Sequence, residues 1–235
     1  MRIFAKNFTK TVIFDKKHTS KREKMKKVLG LGNALTDVLL QVSEDDLREL
    51  GLPKGSMNLI SMEQAEQIQM RFASVRKRMV AGGSASNAIA TIASLGGKAA
   101  FIGKIGNDEV GDFYREDMIK NGVKPLLLSS DKQMSGCSIV LITPDGERTF
   151  ATYLGAAADM QADDIHKEAF AGYDIFHIEG YLVQNHDLIE KAIRMAKESG
   201  CMVSLDLASY NVVNENHYFL KELIKKYVDI VFANE

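Results

Sequence analysis

The stretch AGGSASNAIATIASLGGKAAFIGKIGNDEVG, residues Ala81–Gly111, decides the fold. It begins with the pair Gly82-Gly83, and over residues 84–95 small and apolar side chains recur at the spacing of one helix face. Two glycines before a helix allow backbone angles that other residues avoid, and they let a ligand approach the free amides of the helix N-terminus. The pattern therefore predicts a helix whose first turn is accessible to a ligand, although a lone glycine pair is more often only a tight turn.

The same stretch continues as a turn and a strand. Ser84 or Ser86 is expected to cap the helix, and Gly96-Gly97 is expected to end it. The apolar run Ala99–Ile102 then predicts a short strand, and Gly103–Gly111 is rich enough in glycine, asparagine and aspartate to predict a loop.

The rest of the chain alternates between apolar runs and amphipathic segments. Such alternation predicts an α/β fold with a mostly parallel sheet and helices on both of its faces. Strands are expected at Val28–Leu31, Val123–Leu128, Ser138–Thr143, Arg148–Tyr153, Asp174–Ile178, Met202–Asp206 and Asp229–Ala233. Helices are expected from Ser61, with a capping box to Gln64, to about Met79, and at Val110–Asn121, with Asp108 as N-cap and Gly122 as its stop. Further helices are expected at Ala162–Phe170, His186–Ser199 and Asn216–Tyr227.

Length and composition limit the function classes. A chain of 235 residues can bury a substantial core, and its first 24 residues, basic and without a sustained period, are expected to form a disordered extension before a domain over residues 25–235. A net charge of −1 gives no reason to expect nucleic acid as a partner, and no apolar run reaches the length of a membrane span. Cys137 and Cys201 lie in apolar contexts, which favours reduced core thiols and a cytoplasmic location. No Cys/His spacing indicates a metal site.

Acidic residues at predicted strand ends are the candidate ligand contacts. Asp37 follows the first strand, and Glu179 and Asp206 follow two later strands, at the sheet edge where α/β proteins bind ligands. From the residues alone, Asp37 is as readily the cap of a turn as a ligand contact. The G-L-G-N run near the first strand fails the dinucleotide fingerprint because Leu35 stands where its third glycine would be, which argues against an NAD-dependent oxidoreductase.

The glycine pair, Asn87 four residues after Gly83, the alanine-rich helix, Gly96-Gly97 and the run GKIGNDEVG together resemble the N-terminal signature of the PfkB (ribokinase-like) family of sugar and nucleoside kinases. The resemblance implies a ribokinase-like α/β fold with a small β-sheet lid, formed by residues 39–60 and 136–155. It also implies ATP and Mg²⁺ as cofactors and a small sugar or nucleoside as the acceptor. Within the family, the GGSASN run looks more like adenosine-kinase-type members.

The resemblance also assigns roles to individual residues. Asp37 matches the acid that binds two sugar hydroxyls, with Asn33 beside it, and Gly82, Gly83 and Asn87 match the acceptor-binding loop. The match at Glu179 is less specific than the match at Asp37: Glu179 lies where members of the family often have a residue that contacts the substrate. Asn234 matches an asparagine of the phosphate–magnesium network.

The family's second signature, D-T-x-G-A-G-D, does not occur in these 235 residues. In the family its last aspartate is the general base and its backbone forms an anion hole, so both are expected beyond Glu235. A truncated kinase without activity of its own is therefore the leading interpretation, as a monomer or as a homodimer through the lid. A non-catalytic sugar- or nucleoside-binding protein is the alternative.

Overall fold

The computed structural model describes residues 25–233, so the predicted extension over residues 1–24 and the candidate Asn234 lie outside the described part. The strands are β1 Lys27–Leu31, β2 Leu35–Gln41, β3 Met57–Leu59, β4 Arg78–Gly82, β5 Lys98–Gly106, β6 Val123–Ser130, β7 Gly136–Ile142, β8 Arg148–Tyr153, β9 Ile175–Ile178, β10 Met202–Asp206 and β11 Ile230–Phe232. The α-helices are α1 Glu44–Glu49, α2 Met62–Arg71, α3 Ser84–Ser94, α4 Glu109–Lys120, α5 His186–Glu198, α6 Tyr210–Glu215 and α7 His217–Tyr227.

Six strands form sheet A, which is parallel throughout, in the order β11-β10-β9-β1-β5-β6. Successive residues of each strand face opposite sides, so Leu29 packs in one apolar cluster with residues of α5 and α7. Its neighbour Val28 packs in a second cluster with residues of α3 and α4. The predicted parallel sheet with helices on both faces is confirmed.

The other five strands form sheet B, a mixed sheet in the order β3-β8-β7-β2-β4. Strand β2 pairs antiparallel with β4 and parallel with β7, and β7 pairs antiparallel with β8 through a hairpin. One face of sheet B is covered by α1 and α2. Leu47 of α1, Ile68 of α2 and the C-cap residue Phe72 are buried with Ile139 and Leu141 of β7. Its strands extend beyond the two expected lid segments, because β2 begins at residue 35 and β4 lies wholly outside them.

The predicted long helix from Ser61 is wrong in its second half. Helix α2 does begin after Ser61 with the expected capping box to Gln64, but it ends at Arg71. Residues 78–82 instead form β4, because the backbone of β2 supplies an antiparallel partner for them. A local pattern of residues does not reveal such a distant partner.

Other elements also differ from the prediction. Residues 162–170 form two short 3-10 turns and not one helix. The chain becomes extended at Ile165, because Asp164 accepts hydrogen bonds from the Gln161 amide and from the Lys104 side chain. Strand β5 continues to Gly106 through part of the predicted loop, because β6 pairs with it along that length. Helices α1 and α6 were not predicted.

Several local predictions are confirmed. Asp108 caps α4 by accepting a hydrogen bond from the Gly111 amide at 2.8 Å, and Gly122 follows that helix with a φ of 77°. Cys137 and Cys201 are both buried free thiols. Within residues 25–233 there is no helix with the length and apolar character needed to cross a bilayer.

Candidate functional site

The loop after β1 and the start of α3 meet at the carboxyl edge of sheet A. Asn33 follows β1, and Gly83 stands between β4 and α3 with a φ of 93°. A Cβ atom added at Gly83 would overlap the carbonyl oxygen of Asn33, so both the backbone angle and the lack of space require glycine here. Gly83 is also the N-cap residue of α3 and provides no side-chain cap, so the expected capping by Ser84 or Ser86 is wrong.

Asp37 and Gly82 lie side by side on the paired strands β2 and β4. Leu35 is the direct partner of Gly82, and Asp37 lies two residues along β2 on the same face. A Cβ atom added at Gly82 would overlap the carboxylate of Asp37, so the glycine leaves room for that group. Burial raises the pKa of Asp37 to about 6, against the opposing field of the Arg148 guanidinium. The site thus contains a partly desolvated carboxyl group beside bare backbone.

Glu179 fills the space beneath the first turn of α3. Its side chain is 2% exposed. Its Oε1 accepts a hydrogen bond from Asn33 Nδ2 at 2.7 Å, and its Oε2 accepts one from the Ala85 amide at 3.3 Å. Burial raises the pKa of Glu179, against hydrogen bonds that favour the carboxylate. Glu179 thereby links the loop after β1 to the helix N-terminus.

Of the remaining sequence candidates, Asn87 is joined to the cluster through its backbone amide. Asn87 is exposed on α3, where its amide donates to the Gly83 carbonyl and its carbonyl accepts from Thr91 Oγ1. Asp206 ends β10, two strands from β1. Asn234 lies outside the described residues.

Tyr114 is a neighbour of the site that the sequence reasoning missed. It is a buried residue of α4, and its hydroxyl donates a hydrogen bond to the Gly82 carbonyl at 3.4 Å. Burial raises the pKa of Tyr114. Its only sequence signal was a place on the apolar face of the predicted helix, which indicates packing and not a site.

The arrangement suits recognition of a polyhydroxy compound. A carboxylate accepts hydrogen bonds from hydroxyl groups, and the glycine pair allows close contact with backbone atoms. Within residues 25–233, no group of three or more His, Cys, Asp or Glu side chains has the geometry to hold a metal ion.

The family model for pfkB family carbohydrate kinases matches residues 55–235. The chain belongs to the PfkB family. Among curated PfkB relatives, a probable fructokinase-2 of Arabidopsis thaliana is 32% identical over 131 residues, which cover 53% of this chain and 40% of that protein. The aminoimidazole riboside kinase of Salmonella typhimurium is 30% identical over 149 residues, covering 62% of this chain and 47% of that protein.

Solved structures confirm the ribokinase-like fold. The adenosine kinase of Sinorhizobium meliloti matches with a TM-score of 0.75 and 32% identity, over 88% of this chain and 64% of that one. The adenosine kinase of Trypanosoma brucei brucei matches with a TM-score of 0.80 and 26% identity, over 90% of this chain and 67% of that one. The chain spans less than half the length of the curated relatives it matches, as the shares of 40% and 47% state.

Proposed function

We propose that the chain is the acceptor-binding part of an ATP-dependent PfkB kinase, which phosphorylates a hydroxymethyl group of a sugar or nucleoside. The observation that carries the proposal is the Asp37 carboxyl group, partly buried against Gly82 beside the N-terminus of α3. A desolvated carboxylate holds hydroxyl groups more strongly than an exposed one, since water competes less for its lone pairs. Asp37 would accept hydrogen bonds from two hydroxyls of the acceptor.

The other candidates divide into contacts and positioning residues. Gly82 and Gly83 would present backbone to the acceptor, and Asn87 would add a side-chain contact. Asn33 and Glu179 are bonded to each other at 2.7 Å inside the protein. We therefore assign Glu179 a positioning role, in which it fixes the loop after β1 and the start of α3, in place of the direct contact expected from the family.

The class of acceptor follows from the family, and its identity is left open between two groups. The curated relatives are named as fructokinases and an aminoimidazole riboside kinase, whereas the matched solved structures include adenosine kinases. An adenosine-like nucleoside and a fructose-like sugar both carry the hydroxyl pair and hydroxymethyl group that the proposal needs.

ATP with Mg²⁺ is the donor that the family implies. Within residues 25–233 no group of three or more His, Cys, Asp or Glu side chains forms a metal site of its own, and Mg²⁺ in kinases is held largely by the phosphates of the nucleotide. Asn234, the residue expected beside the phosphates, lies outside them. The role of this chain is therefore derived for acceptor binding alone.

Sheet B would serve as the lid that covers the acceptor and excludes water. Its edge strand β3 carries Met57 and Leu59, which are 53% and 65% exposed. Such a surface is compatible with a monomer or with a homodimer through the lid, and light scattering on the purified chain would distinguish them. The proposed partner is a small-molecule acceptor, and neither nucleic acid nor a membrane. The proposed location is the cytoplasm.

Isothermal titration calorimetry tests the acceptor site directly. Fructose, ribose and adenosine are titrated into the wild-type chain, Asp37→Asn and the control Asp112→Asn, which changes an exposed aspartate of α4. At least one ligand should bind to wild type and control, and Asp37→Asn should bind it roughly tenfold more weakly, since a bond to a charged acceptor is lost. Equal affinities for all three chains would refute the site, as would no binding to a folded wild-type chain.

ADP release with ATP, Mg²⁺ and the same acceptors tests the chemistry. The 235 residues contain no D-T-x-G-A-G-D run, so we expect binding without turnover, which is also the behaviour of the alternative, a non-catalytic binding protein. A chain extended through such a signature separates the two, because a kinase part should gain turnover and a binding protein should not. Turnover by the 235-residue chain itself would show that the base lies elsewhere.

A further inference from the structure

A cavity lies at the amino edge of sheet A, at the end of the strands opposite the candidate functional site. It has a volume of about 380 Å³ and is bounded by the first residues of β1, β5 and β6 and by the segment that precedes β9. Its walls include Lys27, Lys98 and Lys124 together with Leu126 and Tyr173. This volume falls in the range of small-molecule sites, roughly 300–1,000 Å³.

The strand register brings the three lysines together. Lys27 of β1 is the direct cross-strand partner of Lys98 of β5, and Lys124 of β6 is paired with Ala100, two residues along β5. Because side chains alternate along a strand, all three lie on the face that α5 and α7 cover farther along the sheet. The cavity is therefore lined by three lysines on three consecutive strands, of which Lys98 and Lys124 are exposed to solvent.

The positive charge of this lysine pocket is only partly balanced. Like charges directly opposite each other on neighbouring strands are destabilising. Glu168 is the one carboxylate among the lining residues. The Asp174 carboxylate lies nearby and accepts a hydrogen bond from the backbone amide of Lys27. Within residues 25–233, none of the three lysines forms an ion pair. An anion in the cavity would remove the repulsion.

We propose that the lysine pocket binds a small phosphorylated anion, at a site separate from the acceptor site. Ammonium groups bind phosphate as point charges, and three lysines line one cavity here. Leu126, Tyr173 and the alanines of the wall would contact a small organic part of the ligand. The pocket is separated from the Asn33 loop by the length of β1, which is about 16 Å for a five-residue strand.

Amide NMR of the ¹⁵N-labelled 235-residue chain tests the proposal, with inorganic phosphate and pyrophosphate as probes at constant ionic strength. We expect saturable shifts at the amides of Lys98, Ala99 and Gly172, with pyrophosphate binding more tightly than phosphate because it carries more charge. Amides of residues 82–85, at the acceptor site, should not move. Shifts centred on residues 82–85, or shifts that never saturate, would overturn the proposal.

Matched double variants then separate a specific pocket from general attraction. Lys98→Gln/Lys124→Gln removes two charges from the pocket, and Lys132→Gln/Lys221→Gln removes two exposed charges elsewhere. The first should weaken pyrophosphate binding by roughly tenfold or more, since it deletes charged hydrogen-bond donors, and the second should leave it unchanged. Equal affinities in the two variants would refute the pocket. Single Lys98→Gln provides the same comparison should the double variant fold poorly.

Discussion

The carboxylate of Asp37 occupies the space that a side chain at Gly82 would need. The two residues lie on the antiparallel strands β2 and β4 of sheet B, and a Cβ atom at Gly82 would overlap Oδ1 of Asp37. The absence of a side chain at one residue thus sets the position of the functional group of the other. This relationship makes the acceptor site testable without any change to the carboxylate itself.

Gly82→Ala should weaken acceptor binding while Asp37 remains in place. The added methyl group forces the carboxylate to move, and we expect a loss of about tenfold in affinity, which corresponds to about 1.4 kcal/mol. Crowding should also lower the free energy of unfolding by about 1–3 kcal/mol. Calorimetry measures the first effect, with whichever of fructose, ribose and adenosine binds to the wild-type chain, and urea unfolding measures the second.

Gly96→Ala is the matched control for that variant. Gly96 has a φ of 87° and no atom near a built Cβ, so an alanine there strains only the backbone. It should cost about 1–2 kcal/mol of stability and leave acceptor affinity unchanged. If Gly96→Ala lowered the affinity as much as Gly82→Ala, the loss would follow from stability and not from the carboxylate.

Acceptor affinity should rise with pH through the titration of Asp37. Burial raises the pKa of this group to about 6, and the carboxylate is the better hydrogen-bond acceptor. Calorimetry between pH 5 and pH 8, in buffers of matched ionic strength, should give an affinity that increases up to about pH 7 and then levels off. In Asp37→Asn this rise should be absent; a rise that persists there would assign the titration to another group.

Asp37→Asn should stabilise the folded chain at neutral pH. The pKa of Asp37 is raised from 3.8 to about 6 on folding, so the unfolded chain releases its proton first and stability falls as pH rises through this interval. Asparagine avoids the cost of a buried charge. After allowance for solvent screening, we expect a gain of roughly 1–2 kcal/mol at pH 7 and none at pH 3. Urea unfolding at both pH values measures it, and an equal gain at pH 3 would contradict this origin.

Glu179→Ala should destabilise the chain and loosen the start of α3. The change leaves Asn33 Nδ2 and the Ala85 amide without their buried acceptor, at a cost of roughly 2–4 kcal/mol. Hydrogen exchange at the Ala85 amide should accelerate more than global unfolding explains. The control Glu198→Ala breaks an exposed ion pair with Lys167 and should cost less than about 1 kcal/mol. Similar costs for the two variants would argue against a positioning role.

Asp108→Ala should cost more than an ordinary helix cap. Its carboxylate accepts hydrogen bonds from the amides of Gly111 at 2.8 Å and of Ser135 at 2.7 Å, so it joins α4 to the loop before β7. We expect a loss of about 2 kcal/mol in the free energy of unfolding, at the upper end for caps. Asp108→Asn keeps one acceptor oxygen and should retain part of that energy. If both variants behaved like wild type, the carboxylate would contribute nothing.

Local patterns predicted most of sheet A and little of sheet B. Apart from α6, the strand-and-helix alternation from residue 174 onward is confirmed, because each of the other elements there contains its own apolar period and its own turn residues. Strand β4 was missed because its stability depends on pairing with β2, some forty residues earlier in the chain. The information that makes residues 78–82 a strand therefore lies partly in another segment.

The candidate site likewise contains residues that the sequence predicts and contacts that it does not. Asp37, Gly82, Gly83 and Glu179 were each named from the family pattern, but no pattern revealed that Glu179 is bonded to Asn33 or that Asp37 lies against Gly82. Such contacts depend on the register between strands and on side chains distant in sequence. They decide which residues are free to touch a ligand and which hold others in place.

Sheet B is built from two stretches of chain, residues 35–82 and 136–153, with strands β5 and β6 of sheet A and two helices between them. No single cut therefore releases it as an autonomous module. A chimera that exchanges this sheet between family members must replace both stretches at once, since β2 pairs with β4 in the first and with β7 in the second. Recombination at one crossover would join half of the sheet to strands of a different protein. A crossover between residues 37 and 82 would also place Asp37 and Gly82 in parts from different proteins and so disturb their contact.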